Sequence, residues 1–168
     1  ATTRGYEWGS VVHAALAAAA RGLDETALGV LCRSPLVEYE RPVDERGEPL
    51  ELNAVLDLVR RVRGSDLWRR AEGATAVMAE IPFAQWSASG ERGEELVEGV
   101  VDLVFRDDAG WTVADYKTDV GDDPDFAART IRYRRQVEEY ARIWRELSGE
   151  PIAQRVLLFT TLGHEEAW

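Results

Sequence analysis

At 168 residues and 45% hydrophobic, the chain has material for one domain with a substantial core, and no stretch is long and apolar enough to cross a bilayer. Its single cysteine, Cys32, excludes an internal disulfide and a four-thiolate zinc or iron–sulfur site. With 31 acidic and 20 basic residues the formal net charge is −11, so non-specific affinity for phosphate backbones requires a local basic strip or an attached module.

Ser10 to Arg21 is alanine-rich and reads as a helix closed by Gly22, with Val12, Leu16 and Ala19 or Ala20 as its apolar stripe. Val11 to Ala20 lacks the basic start and cleavage pattern of a signal peptide, and a cytoplasmic domain is expected. Gly9, His13 and Ala17 recur at four-residue intervals, placing the imidazole on a face of small residues that another backbone or a site can approach. Asp24 caps a second, short helix through Leu31, and the acidic, proline-containing Ser34 to Pro49 reads as loop. Leu52, Val55, Leu56, Val59 and Val62 give a third helix, and Ser65 and Asp66 cap a brief fourth. Ala76 to Phe83 alternates into a strand with Val77, Ala79, Ile81 and Phe83 on one face and Met78 and Glu80 on the other. Gln85 to Glu94 reads as a polar connection.

Two strand-like runs follow, Val97 to Phe105 and Trp111 to Thr118, around Asp107-Asp108-Ala109-Gly110, which has turn composition. This is a β-hairpin signal. A tip at Asp108 and Ala109, or a symmetric widening of it, sets Asp102 opposite Asp115, and Lys117 joins them on the same face. Facing carboxylates roughly 4.5–5.5 Å apart at Cβ repel, and a divalent cation between them is the simplest remedy. Asp119 to Pro124 is loop, with Asp123 as N-cap and Pro124 as first helical residue of a helix that runs to Leu147 or Ser148 and stops at Gly149. Its stripe is Phe126, Thr130, Tyr133, Val137, Tyr140, Trp144 and Leu147. Arg155 to Leu162 supplies a last strand, and His164 beside Glu165 and Glu166 reads as a solvated tail. The order of elements predicts an α/β sandwich around a mixed central sheet. Two arginine clusters, Arg60, Arg61, Arg63, Arg69, Arg70 and Arg129, Arg132, Arg134, Arg135, are either strips for nucleic acid or solvated helix faces balancing nearby acids.

Five segments occur in one order along nearly the whole chain: Gly9-Ser10-Val11-Val12-His13, Glu80-Ile81-Pro82-Phe83, Glu98 to Val104, Asp115-Tyr116-Lys117-Thr118-Asp119 and Gln136-Val137-Glu138-Glu139-Tyr140. A lone Asp-x-Lys carries almost no information, but the five together resemble the RecB/AddA-like nuclease domain of the PD-(D/E)xK superfamily. The resemblance implies a restriction-endonuclease-like fold, a mixed central β-sheet flanked by helices. It implies a single nuclease domain over 1–168 that is the C-terminal part of a larger helicase–nuclease. The activity it implies is that of a Mg2+-dependent deoxyribonuclease of exonuclease type, with Mn2+ substituting, acting in double-strand-break repair and recombination.

By the same resemblance Asp102, Asp115 and Lys117 are catalytic, and His13, Asp102, Asp115 and the backbone carbonyl of Tyr116 hold the metal. Lys117 either orients and deprotonates the attacking water or stabilises the transition state. Gln136 and Tyr140, four apart on one helix face, either contact the scissile strand or hold Lys117, and Glu80 is an outer residue orienting metal or lysine. The implied partners are DNA, with single strands expected, a helicase module in the same or an associated polypeptide, and a second helicase–nuclease subunit. No Gly-x-x-x-x-Gly-Lys phosphate loop is present, so no nucleotide is expected on this chain, and one cysteine argues against an iron–sulfur cluster. No membrane is expected. The competing function is a catalytically inactive, nuclease-like DNA-binding or scaffold domain, whose mark would be loss of the acids or the lysine.

Overall fold

The structure, a computed structural model, describes residues 5–90, 93–118 and 124–168, and the side chains of all of these except 87–90 and 93–95. The elements are α1 (Gly5–Ala20), α2 (Glu25–Glu38), α3 (Leu52–Arg63), α4 (Asp66–Glu72), β1 (Ala76–Gly90), β2 (Gly93–Asp107), β3 (Gly110–Lys117), α5 (Phe126–Ser148), β4 (Ile152–Phe159) and β5 (His164–Ala167). The five strands form one mixed sheet in the order β1-β2-β3-β4-β5, antiparallel throughout except for the parallel pair β3 and β4 that α5 connects. This is the restriction-endonuclease-like α/β architecture. No described helix is long and apolar enough to cross a membrane.

Helix α1 ends as its sequence dictates. Gly22 takes φ +93°, Leu23 N–H reaches Ala18 O at 3.1 Å, and Gly22 N–H reaches Ala19 O at 3.0 Å, which satisfies the last carbonyls. Asp24 caps α2 by accepting from Ala27 N–H at 2.8 Å. The expected end at Leu31 is wrong: α2 continues through Pro35 to Glu38. Pro35 removes one helical N–H, but Leu28, Cys32 and Leu36, at four-residue spacing, are 1%, 0% and 0% exposed, and burying that stripe outweighs the lost bond. The predicted caps Ser65 on α4 and Gly149 after α5 are observed, Gly149 at φ +70°. Helix α5 begins at Phe126 with Asp125 ahead of it, and the expected cap Asp123 lies outside the described residues.

The helices α1 to α4 cover one face of the sheet, packing Trp8, Leu16, Leu28, Leu58 and Trp68 against Leu103, Phe105, Ala114, Tyr116 and Leu158. The other face is covered by α5, whose Val137, Tyr140 and Ala141 meet Val101, Val104, Val113 and Leu157. The regular alternation expected across Ala76 to Phe83 fails at one point. Met78 and Ile81, three residues apart, both pack with the α5 layer, as do their partners Val104 and Val101 on β2. A strand of period two cannot place such residues on one face. The change of phase falls at Glu80, whose φ is +52°, and at Asp102 beside it.

Strands β1 and β2 also continue as a paired ladder beyond the expected boundary, through Gln85↔Val97 and Trp86↔Leu96 to Gly90↔Gly93. The polar composition of this stretch thus belongs to paired strand as far as Gly90 and from Gly93 onward. At the other edge, His164–Ala167 forms β5 rather than a solvated tail: it pairs with β4, and the His164 ring stacks on Phe159 at 6.1 Å. Its charged residues blunt the sheet edge.

Gly99 sits opposite Phe83 in the ladder, and a Cβ there would lie 2.7 Å from the Phe83 ring. That ring meets Tyr140 edge-on at 5.4 Å. Gly99→Ala therefore forces Phe83 off its seat. It is expected to cost about 1–3 kcal/mol, the usual range for overpacking, and to lower the melting temperature by roughly 2–4 °C per kcal/mol. Thermal unfolding of the variant checks this, and an unchanged melting temperature would show that the glycine is not required for packing.

Candidate active site

The antiparallel ladder between β2 and β3 runs from Asp107↔Gly110 to Leu103↔Ala114 and stops there. Beyond it β2 stays with β1 and β3 stays with β4 as far as Lys117↔Phe159, so the strands part and leave a wedge. Carried one step further, the same register sets Asp102 opposite Asp115. In place of the missing ladder bond, Tyr116 N–H donates to Asp102 Oδ2 at 2.7 Å. The other oxygen, Oδ1, lies 2.8 Å from His13 Nδ1, which α1 brings in from above the sheet. That approach is possible because Gly9, one turn earlier, lets α1 lie against the end of β3: a Cβ there would be 3.4 Å from Thr118 Oγ1.

Asp115 points toward the α5 side of the wedge and is 3% exposed. Lys117 Nζ stands 2.8 Å from its Oδ2. The ammonium is the cationic partner of this buried carboxylate. Lys117 Nζ also donates to Gln136 Oε1 at 3.0 Å, and Gln136 Nε2 donates to Tyr140 Oη at 2.6 Å. The ammonium also lies 4.6 Å from the centre of the Tyr133 ring. A chain of contacts thus runs from Phe83 through Tyr140 and Gln136 to the lysine.

The structure brings together His13, Asp102, Asp115, Tyr116 and Lys117, with Gln136 and Tyr140 behind the lysine. Glu80 lies elsewhere: its carboxylate is 3.7 Å from Arg21 at the end of α1, and Arg21 also donates to Ala79 O at 3.0 Å. Two contributors escape sequence reasoning. Tyr133 has the pattern of a core stripe residue, although its position three residues before Gln136 puts it on the same helix face. Phe83 has the pattern of strand core, and only the opposed Gly99 hints at its position against Tyr140.

Burial raises the Asp115 carboxyl most, with the Asp102 charge adding, against the pull of Lys117 and His13, to about 7. Burial alone would lower His13, but its bond to Asp102 and the charges of Asp102 and Asp115 raise it overall, Lys117 opposing. Burial first, then the two carboxylates, raise the Tyr116 hydroxyl well above its usual range. These are the marks of surplus negative charge held away from water.

Among the described residues no three His, Cys, Asp or Glu side chains stand arranged as a coordination shell, and Asp102 and His13 are bonded to each other. The donor chemistry nevertheless fits a hard divalent cation: two carboxylates, one of them buried, and an imidazole converge there.

A mixed sheet whose parting strands hold two acids and a lysine, roofed by a helix histidine, defines a restriction-endonuclease-like nuclease fold. The model of the PD-(D/E)XK nuclease superfamily matches residues 1–166, and the chain belongs to that superfamily. It is 28% identical over 145 residues to an ATP-dependent helicase/nuclease subunit of Bacillus cereus, covering 77% of this chain and 11% of that protein. The ATP-dependent helicase/nuclease subunit of the same name in Heliobacterium modesticaldum is 33% identical over 116 residues, covering 61% of this chain and 8% of that protein. The chain therefore spans only about a tenth of the length of these relatives.

The raised groups predict a pH dependence of stability without metal. Both His13 and Asp115 bind their proton more tightly folded than unfolded, so each contributes stability at low pH that is lost as pH rises through its folded value. In chelator, the melting temperature should rise as pH falls from about 8 to about 5.5, before carboxylates such as Glu138 and Glu150, whose pKa values are lowered, reverse the trend. Asp115→Asn should flatten the slope. Calorimetry giving the same slope for wild type and variant would refute this account of Asp115.

Proposed function

We propose that the chain is the metal-dependent deoxyribonuclease module of a helicase–nuclease, an exonuclease acting on DNA strands delivered by a motor during double-strand-break repair and recombination. The observation that carries the reading is one wedge in which Asp102 and the buried Asp115 stand together with His13 and Lys117. Asp102, Asp115, His13 and the carbonyl of Tyr116 would hold Mg2+, with Mn2+ able to replace it. The ion supplies Lewis-acid polarisation of a phosphoryl oxygen and neutralisation of building charge.

The chain's own residues do the remainder. Lys117, held by Gln136 and over Tyr133, directs its ammonium at the attacking water or at the oxygens of the phosphodiester, and both roles demand the same placement. Tyr140 keeps Gln136 turned toward the lysine. No part in the step is assigned to Glu80, whose carboxylate faces Arg21. Asp115 must give up its proton before it can hold a cation, so metal affinity rises with pH through about 7.

The reading extends by similarity. The relatives are named as helicase/nuclease subunits, so the partners proposed are DNA, single strands foremost, a helicase module in the same or an associated polypeptide, and a second subunit of such a complex. The domain, residues 1–168, would be the C-terminal part of such a protein and work in the cytoplasm, with no bound nucleotide or iron–sulfur cluster of its own. The inactive-scaffold alternative is disfavoured by the presence of both acids and the lysine in one wedge.

Incubation with labelled single-stranded DNA and Mg2+ or Mn2+, with and without chelator, tests the function. Lys117→Ala should lose cleavage by about 10²–10³-fold, the range for removing one preorganised charge-stabilising group, while keeping the melting shift produced by Mn2+. Asp115→Asn should lose both, because an ion bound only to the folded state stabilises it by about 2.7 kcal/mol at a hundredfold excess over its dissociation constant. Wild-type cleavage no greater than that of Lys117→Ala would favour the scaffold reading.

A further inference from the structure

The structure separates the two arginine clusters. In the first, Arg60 is paired with Glu25 at 2.8 Å and with Asp57, Arg69 is paired with Asp66, and Arg70 is paired with Asp107 at 2.7 Å. Arg70 also bonds Thr112 and Gln154, which fixes it at the turn end of the β2–β3 hairpin, away from Lys117. This cluster is largely spent on the fold. In the second, Arg134 is engaged by Glu166 at 3.0 Å and lies 4.1 Å from the Trp168 ring centre. Arg132 and Arg135 are exposed and have no ionic partner among the described residues.

Their position gives this meaning. From Phe126 to Gln136, α5 carries four arginines and no acid, whereas its second half carries Glu138, Glu139 and Glu146. Arg132 is one turn before Gln136, whose side chain accepts from Lys117, and directly precedes Tyr133, whose ring lies against the same ammonium. In a chain of net charge −11, Arg132 therefore adjoins the wedge, and Arg135, in a groove it shares with Arg134, Glu138, Arg142 and Trp168, continues the path along the exposed side of α5. One helical turn is about 5.4 Å, comparable to the spacing of successive phosphates in an extended strand.

We propose that Arg132 and Arg135 clamp the backbone phosphates of the nucleic-acid strand that flanks the scissile bond, fixing its path along the first half of α5. The inference rests on the nuclease reading of the wedge and adds the surface that holds the substrate in an otherwise repelling protein. The clamp recognises phosphate and not base, so it acts equally on all sequences.

The test is the double variant Arg132→Gln/Arg135→Gln, with Arg60→Gln/Arg69→Gln as a control of equal charge change. Binding of a fluorescent single-stranded oligonucleotide is titrated in chelator across a salt series. Loss of two phosphate contacts should reduce the slope of log affinity against log salt by about 1.4, and the control should keep the wild-type slope. With Mn2+, the clamp variant should show a raised KM and little change in kcat on the oligonucleotide. It should keep full activity on bis(p-nitrophenyl) phosphate, which has no flanking phosphates. An unchanged salt slope, a control that loses as much as the clamp variant, or wild type that binds no oligonucleotide at low salt would overturn the clamp. If wild type hydrolyses neither substrate the nuclease reading fails, and the salt slopes still decide the clamp.

Discussion

The site depends on a sheet that stops pairing at the right place. After Leu103↔Ala114 the backbone groups of β2 and β3 lose each other, and exposed or buried they must find substitutes. The carboxylate of Asp102 provides one by accepting Tyr116 N–H, so an acid stands where a sheet carbonyl would otherwise be. The parting strands then leave room for Asp115 and Lys117 on one side and for His13 on the other. Any change that let the ladder close one pair further would put Asp102 and Asp115 in direct opposition inside a continuous sheet, which is the arrangement electrostatics resists most.

Glu80 and Asp102 show how the opening is made. Both strands of the β1–β2 pair change phase there, so Ile81, Phe83 and Val101 face the α5 layer where unbroken alternation from Met78 and Val104 would have turned them away. The left-handed backbone of Glu80 is uncommon for a side-chain-bearing residue and costs of order 1–3 kcal/mol. Arg21 offsets part of this by holding both Glu80 and the carbonyl of Ala79. The strain lies next to the acid that the site needs aimed toward His13, and removing it would return Asp102 to the regular alternation of the strand.

Much of this is legible in the sequence where short-range rules decide. The register of Asp102 and Asp115 follows from a turn of fixed length and a side-chain period of two, and the caps at Asp24, Ser65 and Gly149 follow from local hydrogen bonding. The motif order read along nearly the whole chain agrees with the superfamily model, which matches residues 1–166. What is not legible depends on tertiary context. The helix across Pro35 is held by the core that Leu36 enters, the phase change at Glu80 has no glycine to announce it, and the strand pairing beyond Gln85 depends on cross-strand partners that a polar composition does not signal. The roles of Tyr133 and Phe83 stay hidden because an aromatic on a core stripe and an aromatic backing a site give the same pattern.

The lysine shows why the supporting chain extends so far from the wedge. The ammonium is the positive charge paired with Asp115 at 2.8 Å, and on the proposed reading a divalent ion would share that carboxylate with it. A lysine on a free four-carbon stem would be expelled into solvent by the newcomer. Here Gln136 binds the ammonium, Tyr133 offers its ring face, and Tyr140 fixes Gln136 from behind while Phe83 fixes Tyr140. These contacts hold the ammonium in place independently of its ion pair with Asp115, and the glycine at 99 is the gap in the sheet's side chains that lets Phe83 sit where this chain of contacts begins.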